Sequence, residues 1–261
     1  MRSFLAIMEL ELLKVRKSNI LIGTLVFFIF ISLIVGLFAF VVKHPEWMGK
    51  SAILGAKASM MENADWPSYF NLMIQIILTA GTFGFGITAA WIFGREFADH
   101  TIKDMLALPV SRISIVLGKF TVLMIWNGIL ALIVLGVCLL VGRMIGLEDW
   151  SVSLVSRGAI RFLVSALLTI LLCTPIAFFA SLSRGYLFPV GLIILTMIIT
   201  QVAFVAFPSF TPCIPWAIPG LYSGVAGAIA KAAAGSYLIL LLTCIAGIVG
   251  TTAFWRFADQ V

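Results

Sequence analysis

The side chains able to do acid–base, nucleophilic or metal chemistry are few in this 261-residue chain, which carries two histidines and four cysteines. His44 and His100 are far apart and fall in segments expected on opposite sides of the architecture, and no H-E-x-x-H or C-x-x-C pattern occurs, so no metal site is expected. Gly118-Lys119 lacks both the upstream glycine and the following Ser or Thr of a phosphate-cradling loop. Cys138, Cys173 and Cys244 lie in apolar windows, where a thiol packs as a small apolar group; Cys213 stands alone, and no structural disulfide is expected. No nucleophile–base or diacid set is visible in the apolar segments. Catalysis within the chain is not expected.

The one concentrated polar signal is the run from Arg95 to Lys119. Thr101 and Asp104 have capping-box spacing, with Asp in place of the preferred Glu or Gln. A short helix is expected to follow, with Ile102, Met105 and Leu106 on one face and Lys103 and Asp104 on the other. Pro109 disfavours helix at Leu108 and ends it, and Ser111 then caps a new helix carrying Ile113, Val116, Leu117 and Phe120. A stiff amphipathic helix held between two longer elements is suited to entering a partner's groove, or to resting on lipid headgroups.

The elements around this loop are set by composition. Hydrophobic residues make up 62% and charged ones 11%, and the mean hydropathy is +1.16; a soluble domain carries about 25% charged residues. A soluble domain, a disordered tail and a secreted disulfide scaffold are excluded. Charge-free windows run over 18–42, 66–94, 120–142, 162–183, 185–230 and 232–255, each at least 22 residues long, where a spanning helix needs roughly 20. The expected fold is an all-α membrane protein forming a single transmembrane domain over 1–261, with spans at 20–42, 68–94, 119–142, 162–183, 187–207 and 234–255. The first window is too long for a removable signal sequence. The net charge of +6 is spread through short flanking loops, which fits anionic lipid and excludes nucleic acid as a partner.

Ten Lys and Arg fall on the N-terminal side of the membrane and seven on the other, which places both termini in the cytoplasm. Residues 2–17 read as an interfacial helix, or as the wet extension of the first span, with Phe4, Leu5, Met8, Leu12 and Val15 in one sector and Arg2, Glu9, Glu11, Lys14, Arg16 and Lys17 on the remaining face. Within 208–231, Pro208, Pro212, Pro215 and Pro219 disrupt helix, giving either a re-entrant external segment or an apolar loop lying over the helices. The spans lack charged residues at mid-membrane, which argues against an ion-coupled carrier. Asn71 and Gln75 on the second span, and Thr196, Thr200 and Gln201 on the fifth, either line a substrate cleft or hydrogen-bond between helices.

The run Gly94-Arg95-Glu96-Phe97, Thr101-Ile102-Lys103, Leu106 through Arg112 and Gly118-Lys119 resembles the permease subunits of type-2 ABC exporters, and the six-span layout resembles them over the whole chain. In layout it is most similar to the small permeases of bacitracin and lantibiotic resistance. Asp99-His100 departs from the acid-Gly pair that many relatives carry.

The resemblance implies that Glu96 anchors the start of the loop and that Thr101, Ile102, Asp104, Met105 and Leu106 dock on an ATPase. It implies that Pro109 to Arg112 fix the turn into the third span, and that Pro212, Pro215, Trp216 and Pro219 form an external gate. It further implies ATP and magnesium on a separate ABC ATPase subunit, present in two copies. A second permease chain, identical or homologous, would complete a dimer in a bacterial cell membrane and export a peptide antibiotic or lipid-linked compound. An ATP-independent carrier or channel, and a non-transporting scaffold or sensor, are the other classes that the composition allows.

Overall fold

The computed structural model describes residues 2–44, 63–102, 105, 110–225 and 232–257, with the backbone alone for 2–5. The helix α1 (Arg2–Arg16) precedes α2 (Asn19–Lys43), the first span. The second span is α3 (Trp66–Ile76), a π-helical turn over Ile77–Gly81, and α4 (Thr82–Ala98). The third is α5 (Arg112–Ile145). The fourth is α6 (Val152–Leu171) and α7 (Thr174–Leu182), the fifth α8 (Leu187–Ala206). Two 3-10 turns at Pro208–Cys213 and Pro215–Ala217 lead into α9 (Ile218–Ser223), and α10 (Ala234–Phe257) is the sixth span. Among the described residues, six helices or helix pairs are thus long and apolar enough to cross a membrane.

The helices overrun the charge-free windows. The third begins at Arg112 and the fourth at Val152, so Lys119 and Arg161 stand inside helices rather than ahead of them. Ser111 caps α5 by accepting from the Ser114 backbone N–H, as its position after Pro109 suggests, and Asp65 caps α3 through Ser68. The prolines of 208–219 do not abolish helical structure: they shorten it into 3-10 turns and one six-residue helix, with Pro219 in the first turn where its missing N–H costs nothing. Thr211, Ala217, Ile218 and Leu221 of this segment are buried against the spans.

Where the fourth span breaks, its backbone is satisfied from the side. Pro175 has no N–H to offer to the Leu171 carbonyl; that carbonyl accepts instead from Thr174 Oγ1 at 2.9 Å and Cys244 Sγ at 3.4 Å. Thr174 Oγ1 also lies 3.2 Å from the Cys244 carbonyl. This is the repair that a broken helix in hydrocarbon requires. It works only because α10 approaches closely at Gly247, where an added Cβ would sit 2.5 Å from the Thr174 carbonyl carbon and 2.6 Å from Pro175 N.

Gly247→Ala should therefore lower stability by about 1–3 kcal/mol through overpacking. Gly128→Ala, at a position with nothing within 4 Å, should not lower it. Thermal unfolding of the detergent-solubilised chain checks the pair.

Candidate functional site

At the end of the bundle that gathers α1, the C-terminus of α4 and the start of α5, three buried charged side chains and the half-buried Lys14 form a cluster. Lys119 Nζ lies 2.7 Å from Glu96 Oε1, 3.1 Å from Glu11 Oε2 and 2.9 Å from the Ile92 carbonyl, using all three of its donors. Lys14 Nζ lies 2.8 Å from Glu11 Oε1, 3.2 Å from Glu96 Oε1 and 3.1 Å from Met105 Sδ. Lys119 is 0% exposed, Glu96 2% and Glu11 3%. Two cations meet two carboxylates, so the cluster is neutral although each member alone would be costly to bury. Glu96 Oε2 is the one buried oxygen of the set without a hydrogen-bond donor.

This arrangement corrects the reading of α1 as an apolar sector opposed by a wet one. Its inward stripe is Ile7, Glu11 and Val15, with Met8 and Leu12 beside it, while Leu10 and Leu13 are exposed. The carboxylate is drawn inward because Lys119, fully enclosed by α1, α4 and α5, needs a second acid. Sequence reasoning missed Glu11, Lys14 and Lys119 as a unit. The available signal was the spacing of Glu11 one turn from both Ile7 and Val15.

The loop after the second span begins at this cluster. The Thr101 N–H reaches the Glu96 carbonyl at 3.0 Å and the His100 N–H reaches the Phe97 carbonyl at 3.3 Å, the paired bonds of a Schellman ending. His100 takes the left-handed conformation, φ 57°, that glycine adopts freely, which gives physical content to the Asp99-His100 departure. Ile102 and Met105 are buried in the core of this chain's own helix bundle. They hold the loop down, and their side chains are not free for a partner's groove. Asp104, Leu106 and Pro109 lie outside the described residues. Arg112 does more than mark a turn: its Nη1 donates to the carbonyls of Trp255 and Arg256 at 3.2 Å, capping the last span. Trp255 is buried, donating from Nε1 to Ser181 Oγ at 3.0 Å.

Farther along the bundle a cavity of about 730 Å³ opens between the second span, the fifth span and the segment after it. Gln75, Thr200, Gln201 and Trp216 all line it, which brings three of the candidate substrate residues together with one candidate gate residue. Asn71 does not line it; its Oδ1 accepts a hydrogen bond from Arg161 Nη2. Nor do Pro212, Pro215 and Pro219 line it, whereas Pro208, Thr211 and Gly220 do. The π-helical turn falls where the second span meets this space, with Leu78 and Thr79 facing it, and such turns often accompany functional sites.

The cavity's threonines are largely spent as donors. Thr79, Thr82, Thr200 and Thr211 hydroxyls donate to the carbonyls of Gln75, Leu78, Thr196 and Pro208 at 3.0, 2.5, 2.7 and 2.7 Å. The amides of Gln75 and Gln201 and the Trp216 indole remain to face a guest, among apolar walls formed by Phe38, Leu72 and Met197. No charged side chain lines the space. Among the described residues there is also no group of three His, Cys, Asp or Glu able to hold a metal.

A family model of ABC-2 family transporter proteins matches residues 7–203, from α1 through the fifth span. The chain belongs to the ABC-2 transporter family. It is also 31% identical over 144 residues to the bacitracin transport permease protein BCRB of Bacillus licheniformis, which covers 55% of this chain and 68% of that relative. An ABC-2 permease is the multi-pass membrane subunit of an ABC transporter, a generally non-catalytic part that works with an ATPase partner. Both the buried cluster and most of the cavity fall within the matched stretch.

Lys119→Met should destabilise this permease by about 3–5 kcal/mol, because it leaves Glu11 and Glu96 sharing one cation in a buried site. Adding Glu96→Gln should restore much of the loss, since the Lys14–Glu11 pair stays balanced. Thermal unfolding of the two variants in detergent checks the order.

Proposed function

We propose that the chain forms half of the membrane path of an ATP-driven exporter, moving a hydrophobic or amphipathic compound out of the cytoplasm or inner leaflet. The observation that carries this reading is the uncharged cavity between the second and fifth spans and the 208–225 segment. A guest there finds apolar walls and a few amide and indole donors, a composition suited to a peptide antibiotic or lipid-linked compound. The bacitracin named for the relative from Bacillus licheniformis is of that kind. Trp216 and the prolines around it would form the external gate, dipping back toward the bilayer.

The buried cluster would be the coupling element. α1 would lie at the cytoplasmic interface, and the segment from Thr101 to Leu108 would receive the push of ATP closure. The excess of Lys and Arg on the N-terminal side favours cytoplasmic termini, and the gathering of α1 and Trp255 at the cluster supports a common side for α1 and the end of α10. ATP and magnesium would sit on two ATPase subunits, beneath two permease chains, identical or homologous. Ile102 and Met105 would transmit force inward to the cluster through the Met105–Lys14 contact, leaving the opposite face of the segment to the ATPase.

The test is reconstitution of the chain, with an ABC ATPase that co-purifies with it, into proteoliposomes. Bacitracin is expected to stimulate ATP hydrolysis and to move in an ATP-dependent direction. Gln75→Leu with Gln201→Leu should lower the stimulated rate roughly tenfold, the scale of two intramembrane hydrogen bonds, with the ATPase still bound. Movement at full rate without an ATPase would overturn the reading in favour of a passive carrier.

A further inference from the structure

A second recess, about 720 Å³, lies on the other side of α1 from the buried cluster, between α1, the end of α4 and Tyr186 at the head of the fifth span. Its lining divides by chemistry. Ala6, Leu10 and Leu13 give an apolar wall, and Trp91 and Tyr186 are aromatic. Lys14, Lys17 and Arg95 supply three cations against Glu9 and Asp99.

The cations are not equivalent. Lys14 is committed to the buried cluster. Arg95 lies with its guanidinium carbon 4.9 Å from the Trp91 ring centre, and its contact with Asp99, 3.4 Å, uses Nε alone. Among the described residues, nothing is paired with the terminal nitrogens of Arg95 or with the exposed ammonium of Lys17. Arg95 is therefore held in place by stacking while its outer donors remain open, and Lys17 stands across the recess in the turn just after α1.

We propose that this recess is a binding site for the headgroup of an anionic phospholipid, with Lys17 and Arg95 on the phosphate and the acyl chains against Leu10 and Leu13. Three features commit it to lipid. The recess lies at the ends of spanning helices, where headgroups are. Its aromatics are the types that settle at that depth. Its apolar wall has no use for a soluble anion. Basic pockets at membrane-helix ends bind anionic headgroups through these same forces. The site does not depend on the exporter reading. It shares Lys14 with the buried cluster, so a bound lipid would brace α1 from its outer side.

The experiment uses the full chain in nanodiscs of phosphatidylcholine alone or with one quarter phosphatidylglycerol, reading the tryptophan quenching caused by phosphatidylglycerol brominated on its acyl chains. Excess quenching relative to brominated phosphatidylcholine is expected, and it should vanish in Trp91→Phe. Lys17→Gln and Arg95→Gln should each weaken phosphatidylglycerol retention by roughly fivefold. Lys17→Gln removes an exposed, unpaired side chain, so its effect is readable even if the Arg95 variant folds poorly. Equal quenching by the two brominated lipids would overturn the proposal. Displacement of the lipid by inorganic phosphate would overturn it in favour of a soluble-anion site, and loss of a dimer without loss of lipid would assign the recess to a second copy of the chain.

Discussion

A lysine with no exposure cannot be placed in a membrane protein without fixing what surrounds it. Lys119 needs acceptors for three protons, and it takes them from α1, from the side chain of Glu96 and from the Ile92 carbonyl. That requirement docks the first helix of the chain onto the third span, more than 100 residues away in sequence. It also fixes where the second span ends, because Glu96 both accepts from Lys119 and opens the turn into the following loop. A neutral pair of ion pairs is a poor source of net stability compared with apolar packing. Its value is in register: α1 cannot slide by one turn without parting Glu11 from Lys119 and Lys14 from Glu96.

The same end of the bundle collects the remaining spans through polar contacts of ordinary strength. Arg112 caps α10, and Trp255 reaches Ser181 of the fourth span. α1, α4, α5 and α10 are thus joined by polar contacts at this one end of the bundle. The cavity stands toward the other end of the second span, and the π-helical turn at Ile77–Gly81 forms part of its wall. Spending the threonine hydroxyls on their own helices leaves the cavity wall apolar with a few open donors, a surface that holds a guest without gripping it.

Much of this was legible in the sequence. Charge-free windows locate six spans because a charge in hydrocarbon is costly, and Ser111 reads as a cap because it follows a proline and precedes an apolar period. Gln75, Thr200 and Gln201 could be singled out as polar groups in apolar helices, but their meeting depends on how the second and fifth spans face each other, which no local pattern encodes. The same holds for the cluster. Glu11 and Lys14 look like a solvated pair at helical spacing until Lys119, inside a helix that starts well before its charge-free window, is brought against them. Asn71 was a plausible cleft residue by type, yet an arginine on the fourth span claims it.

The central claim is that this neutral cluster carries movement from the loop to the spans, and it is tested most directly by measuring bacitracin-stimulated ATP hydrolysis in the reconstituted complex of the Lys119→Met, Glu96→Gln variant. That variant removes one pair while leaving the other balanced. The expected result is a complex that still binds its ATPase and hydrolyses ATP at the basal rate, with stimulation lost. Full stimulation in the folded double variant would contradict the account.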